Sequence, residues 1–253
     1  MKKISKTLTI LLITSLTVLS CSDDDESNDI ANGNDDSNDA SYPTGTVHCD
    51  PNNITKVVDV TNPTTGKVWM DRNLGASQVA TSSTDAAAYG DLYQWGRAAD
   101  GHQCRDSETI TTLSSTDQPG HGDFIISSFE ANFDWRSPQN DNLWQGVNGT
   151  NNPCPSGYRL PTEAELDNER LSWSELNRSS AFASPLKWTV GGHRRYSFGD
   201  FEGIRDTDSG GYYWGSTISS SGTRSTLLMI LPGIAITSSE GRAYGCSVRC
   251  IKD

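Results

Sequence analysis

Three lysines, an apolar run and a cysteine constrain this chain before any folding argument begins. Lys2, Lys3 and Lys6 precede a run of apolar residues from Leu8 to Leu19, and Cys21 follows Ser20. Charge and then apolarity, in that order, are the first two regions of a secretory signal. The run cannot be a membrane span: about 20 apolar residues are needed to cross the hydrocarbon core, and this one breaks into Ser22-Asp23-Asp24-Asp25-Glu26 well before that.

The tetrad Val18-Leu19-Ser20-Cys21 is similar to a lipobox, in which the cysteine thiol is acylated and the bond before it is cut. An A-x-A-like cleavage site does not follow, which argues against an ordinary signal. The expectation is a signal over residues 1–20 and a mature chain beginning at lipidated Cys21. Acyl chains such as palmitate contribute about 0.8 kcal/mol per buried methylene, so two or more make a lasting membrane anchor.

Residues 21–45 read as an acidic, disordered tether. Ser22 to Ser41 is almost wholly Asp, Glu, Asn, Ser and Gly, with no Lys or Arg between Lys6 and Lys56. Such a stretch buries too little apolar surface to offset its ordering entropy, and its like charges repel. Its acidic start also looks like the surface-export signal of lipoproteins in the Bacteroidota. That likeness implies the outer membrane with the domain facing the cell exterior; a solvated spacer facing the periplasm is the alternative.

Residues 46–253 are then expected to form one domain, since roughly 200 residues suffice for a single core. The net charge is −12, and binding to phosphate or sulfate rests on clustered Lys and Arg, which argues against nucleic acid and anionic glycans as partners. An exported chain meets an oxidising compartment, where cysteines pair. Of six cysteines, Cys21 is assigned to the lipid. One of Cys49, Cys104, Cys154, Cys246 and Cys250 should therefore be unpaired or intermolecular. Cys246 to Ile251 reads as one strand, which would place Cys246 and Cys250 on one face about 13 Å apart, beyond the roughly 7 Å that a disulfide spans.

Along the domain, Lys56–Val60 and Lys67–Met70 flank the turn residues Asn62–Gly66 and predict a hairpin. From Asn73 to Asn152 the expectation is loops and short elements held by buried aromatics. Thr162, with Glu165 three residues on, predicts a capping box and a helix starting at Thr162; Ser172 to Glu175 predicts a second short helix toward Asn177. Strands are expected at Gly211–Trp214, Thr226–Leu231, Ile234–Thr237 and Ser247–Ile251.

Four strings together resemble the Fibrobacter succinogenes major paralogous domain of Bacteroidota and Fibrobacteres lipoproteins. They are Gly66-Lys67-Val68-Trp69-Met70-Asp71-Arg72-Asn73-Leu74-Gly75, Tyr89-Gly90-Asp91-Leu92-Tyr93-Gln94-Trp95-Gly96-Arg97, Asn152-Pro153-Cys154-Pro155-Ser156-Gly157-Tyr158-Arg159-Leu160-Pro161-Thr162 and Ser247-Val248-Arg249-Cys250-Ile251-Lys252-Asp253. The resemblance runs from about Val47 to Asp253. It implies an α+β, loop-rich fold similar to C-type lectin-like domains and the formylglycine-generating enzyme superfamily, with short helices and small antiparallel sheets. It also implies a Cys154–Cys250 bridge, with Cys49–Cys104 as a second and Cys246 left over, although one sequence does not set connectivity.

Catalytic signals are weak. A formylglycine-generating chemistry needs redox cysteines upstream of the last strand, and Gly210 to Met229 has none. His48, His102, His121 and His193 show no metal-ligand spacing and read as loop histidines. There is no G-x-S-x-G elbow, no phosphate-cradling glycine loop, and no carboxylate pair spaced for acid–base work. Gln118-Pro119-Gly120 lacks the third ligand of a calcium-lectin motif and no Trp-Asn-Asp is present, so no cofactor is expected. Structural calcium on loop carboxylates and carbonyls stays open, with no ligands named. The tryptophans and tyrosines offer faces for sugar stacking, but Trp69, Trp95, Trp144 and Trp214 fit core packing better. The expected function is a non-catalytic binding or adhesion module at the cell surface, for glycan or a cell-surface protein. The alternatives are a subunit of an envelope assembly bridged through Cys246, and an enzyme whose site the sequence does not reveal.

Overall fold

The computed structural model describes residues 41–128, 132–195 and 203–253. The signal, Cys21 and the expected tether before Ser41 lie outside the described residues. All described residues fall in one unit, Asp36–Asp253.

The expected hairpin forms. Strand β1 (Asp59–Thr61) pairs antiparallel with β2 (Val68–Met70), placing Val60 opposite Trp69. The Asn62 side chain accepts from the amides of Thr64 and Thr65 and Gly66 takes φ +69°, so an Asx turn and one glycine make the reversal. Lys56 to Val58 lie outside the strand. Short strands β3 (Tyr93–Gln94), β4 (Thr109–Ile110), β5 (Phe124–Ile125) and β6 (Tyr158–Arg159) punctuate the loop-rich middle.

Helix α1 (Glu163–Leu171) starts where the capping box predicts: Thr162 Oγ1 accepts from the Glu165 amide at 3.2 Å, and Glu165 Oε2 accepts from the Thr162 amide at 2.9 Å. The second helix is a correction. Ser172 is the C-cap of α1, its hydroxyl donating back to the Glu169 carbonyl at 2.6 Å, so it cannot open a new helix. Helix α2 (Arg178–Ala183) begins instead at Asn177, whose side chain accepts from the Ser180 amide at 3.0 Å.

The remaining strands are β7 (Gly191–Arg195), β8 (Gly203–Thr207), β9 (Gly211–Ile218), β10 (Arg224–Ile230), β11 (Ala235–Gly241), β12 (Gly245–Cys246) and β13 (Ile251–Lys252). They build a four-stranded sheet ordered β1-β2-β13-β6 and a larger sheet ordered β11-β10-β9-β7-β12-β3, with β8 joined to β7; β4 and β5 pair separately and in parallel. Two short helices among small, mostly antiparallel sheets are compatible with the α+β expectation.

The closing strand is also corrected. Cys246 to Ile251 does not run as one strand, because the chain leaves β12 in the larger sheet and crosses to β13 in the smaller one. On the way Val248 accepts from the Leu74 amide and Cys250 from the Met70 amide, so its carbonyls turn to β2 and the segment after it.

All seven tryptophans are buried, Trp173 the most exposed at 7%. The indole of Trp95 donates to Gly215, that of Trp214 to Tyr93 and that of Trp135 to Trp95, so the rings fill space while their N–H groups tie loops to strands. None of the seven presents a face for sugar stacking.

Candidate functional site

Strand β7 is the hub of the larger sheet: it pairs antiparallel with β8 and β12 and touches β9 in parallel through Gly192 and Gly211. So close an approach demands glycine. A Cβ on Gly192, whose φ is +75°, would lie 2.2 Å from the Arg205 carbonyl oxygen, and one on Gly211 would lie 2.4 Å from that of Thr189. With β8, β9 and β12 drawn around it, alternate residues of the strands reach the same sheet face. His193 stands opposite Arg205, and Met229 opposite both Tyr212 and Ile236.

A pocket of about 530 Å³ opens there. Its wall is His193, Tyr212 and Tyr244, with the imidazole centroid 4.4 Å from one phenol ring and 5.3 Å from the other. Arg195, Arg205, Asp206 and Glu240 supply charge, while Met229 and Cys246 are the sulfur-bearing members of the lining.

Asp206 orders the polar side of the pocket. It takes φ +56°, and its carbonyl accepts from the amides of Ser209 and Gly210 in the turn to β9. Its Oδ2 accepts from the Tyr212 hydroxyl at 2.7 Å and lies 3.6 Å from His193 Nδ1, beyond hydrogen-bond reach. That buried Nδ1 has no other partner.

Burial sets the protonation states. It holds His193 down to about 4, with Asp206 opposing and Arg195 and Arg205 reinforcing, so the ring is neutral at pH 7. Burial, with the bond to Asp206, pushes the Tyr212 phenol above its ordinary range. It also raises the Glu240 carboxyl, against the pull of Arg224, and lifts the Cys246 thiol well above its usual value. Neither the Cys246 thiolate nor the Tyr212 phenolate is available at neutral pH, so both groups present neutral hydrogen-bonding atoms.

No protein-family model, no curated protein and no solved structure matches the chain.

The other residues singled out in the sequence lie elsewhere. Cys49 bridges Cys104 and Cys154 bridges Cys250, the pairs the resemblance implies. Cys246 is unpaired and fully buried, so in the folded chain it is out of reach of a second chain's thiol. The reading of all four histidines as loop residues needs correction at His193, which is part of β7. His102 is fully buried, its Nδ1 2.6 Å from Asp100 Oδ1 and its Nε2 accepting from the Gln94 amide, which makes it a packing knot with Arg97. His121, with Gln118 and Gly120 of the Gln118-Pro119-Gly120 segment, borders a second cleft of about 860 Å³. That cleft is walled mainly by loops, and its Asp100 is already held by Arg97 and His102. Among the described residues no three of His, Cys, Asp and Glu are grouped to hold a metal ion, and no helix is long and apolar enough to cross a membrane.

Sequence reasoning missed the pocket. His193, Arg195 and Arg205 sit in strands too polar and glycine-rich to show a two-residue period. The usable signal was the pair of double glycines, Gly191-Gly192 before His193 and Gly210-Gly211 before Tyr212. Each marks close backbone approach inside a strand.

Proposed function

We propose that this chain is a lipoprotein of the Fibrobacter succinogenes major paralogous type, anchored through Cys21 in the outer membrane and displaying a lectin-like binding or adhesion domain to the exterior. Its ligand is a glycan, seated in the His193–Tyr212–Tyr244 pocket. The observation that carries this reading is the combination of an aromatic wall with polar groups held in unreactive protonation states. Small-ligand sites combine aromatic surface with placed polar groups, and here His193, Arg195, Arg205, Asp206 and Glu240 stand beside Tyr212, Tyr244 and Met229.

The test is a glycan array probed with the detergent-solubilised full chain, wild type and Tyr244→Ala in parallel, with folding checked by circular dichroism. Saturable binding that weakens at least tenfold in the variant supports the reading. A folded chain that binds no glycan, or binds one equally well with Tyr244→Ala, sinks it.

A further inference from the structure

The chemistry around the pocket narrows the ligand, on the premise that the chain is a glycan-binding module. The charged side chains comprise two guanidinium groups, Arg195 and Arg205, and two carboxyls, Asp206 and Glu240. An anionic ligand meets two carboxyls, and a cationic one meets two arginines. The two signs balance, and a hydroxyl group donates and accepts at once, so a polyhydroxyl ligand without net charge suits this lining.

A built but incomplete polar site stands beside the aromatic wall. His193 is 7% exposed and its Nδ1 has no hydrogen-bond partner, while Asp206 Oδ2 waits 3.6 Å away with only the Tyr212 hydroxyl on it. A buried polar atom left unpaired costs free energy, which a hydroxyl arriving at His193 Nδ1 would recover. The volume, about 530 Å³, falls in the range of roughly 300–1,000 Å³ typical of small-ligand pockets.

We propose that the pocket takes a neutral saccharide of one or two rings, its hydroxyl groups hydrogen-bonded directly to Asp206 and His193 and its edge against the rims of Tyr212 and Tyr244, each 9% exposed. Asp206 is the discriminating group, because its carboxylate accepts from hydroxyls and repels a sugar acid.

Titration calorimetry on the detergent-solubilised full chain tests this with glucose, galactose, mannose, N-acetylglucosamine and their disaccharides against glucuronate and glucosamine. The expected result is saturable binding of a neutral sugar at one per chain, unaffected by a chelator. Asp206→Asn should weaken it at least tenfold and Tyr212→Phe severalfold, with unchanged melting temperatures. Preference for the acidic or the cationic sugar, loss of binding with chelator, or wild-type affinity in both variants overturns the neutral, direct assignment and leaves the display module standing. A folded chain that binds no sugar in the panel or on the array removes the glycan reading as well.

Discussion

The carboxyl group of Asp91 rests directly on the backbone of Gly75: a Cβ at residue 75 would lie 2.2 Å from the Asp91 carboxyl carbon. Gly75 takes φ +80° and Asp91 is only 8% exposed, so the two positions depend on each other. Burial pushes the Asp91 carboxyl up to about 7, with Arg105 opposing and Asp106 reinforcing. A carboxyl raised in the fold keeps its proton longer than in the unfolded chain, where it titrates at about 4. Its contribution is therefore fully present below about pH 4 and is lost as pH rises through about 7. Asp91→Asn should gain on the order of 1–4 kcal/mol relative to wild type between those limits. His102 and His193, both held down to about 4, act in the opposite sense and lose stability as pH falls. The difference between variant and wild type in urea unfolding at pH 4.5, 6 and 7.5 cancels them, and a difference that stays constant with pH contradicts the prediction.

Glu169 is buried at the junction of α1 and the β1–β2 turn, accepting from Asn62 Nδ2 at 2.5 Å and from the indoles of Trp173 and Trp188 at 3.1 and 3.2 Å. Glu169→Ala strands the two indole N–H groups, each costing about 1–3 kcal/mol when left unpaired in the interior, and takes one of the two acceptors of Asn62 Nδ2, so it should largely unfold the chain. Glu169→Gln keeps one oxygen for the indoles but turns an amide toward Asn62, so a loss of about 1–2 kcal/mol is expected. Equal melting temperatures for the two variants would refute this ordering.

The bridges and the spare thiol give a labelling prediction. Native chain should resist iodoacetamide, because Cys246 is buried and its thiol is held protonated; denatured, unreduced chain should take up one label per molecule. Removing the Cys154–Cys250 bridge, which closes a separation of 96 residues, should cost roughly 2–5 kcal/mol. Rapid native labelling would show Cys246 to be accessible.

Replacement of Cys21 by alanine removes the expected lipid attachment. The altered chain should leave the membrane fraction, and wild type on intact cells should be cleaved by added protease. Wild type protected until the outer membrane is breached would favour a periplasm-facing tether.

What could be read from the sequence was local. Thr162 and Glu165 satisfy one another three residues apart, and Asn62 to Gly66 reverse the chain on their own, so both were visible in the sequence. Buried tryptophans follow from size and polarity. Strands β7 and β8 exist because distant segments surround them, and no pattern in Gly-Gly-His-Arg-Arg announces that. Ser172 misled because its hydroxyl, able to accept from an amide at a helix start, instead donates to the Glu169 carbonyl and accepts from Asn62 Nδ2, finishing a helix.

The placement of β12 and β13 has a consequence for export. Each lies between strands that precede it in the chain, β12 between β7 and β3, β13 between β2 and β6. The larger sheet cannot close until Cys246 has emerged, nor the smaller one until Lys252 has. On the proposed export route, the chain carries a built-in delay as it threads a translocation pore: the sheet partners of β12 and β13 wait until the final strands arrive on the far side to lock them.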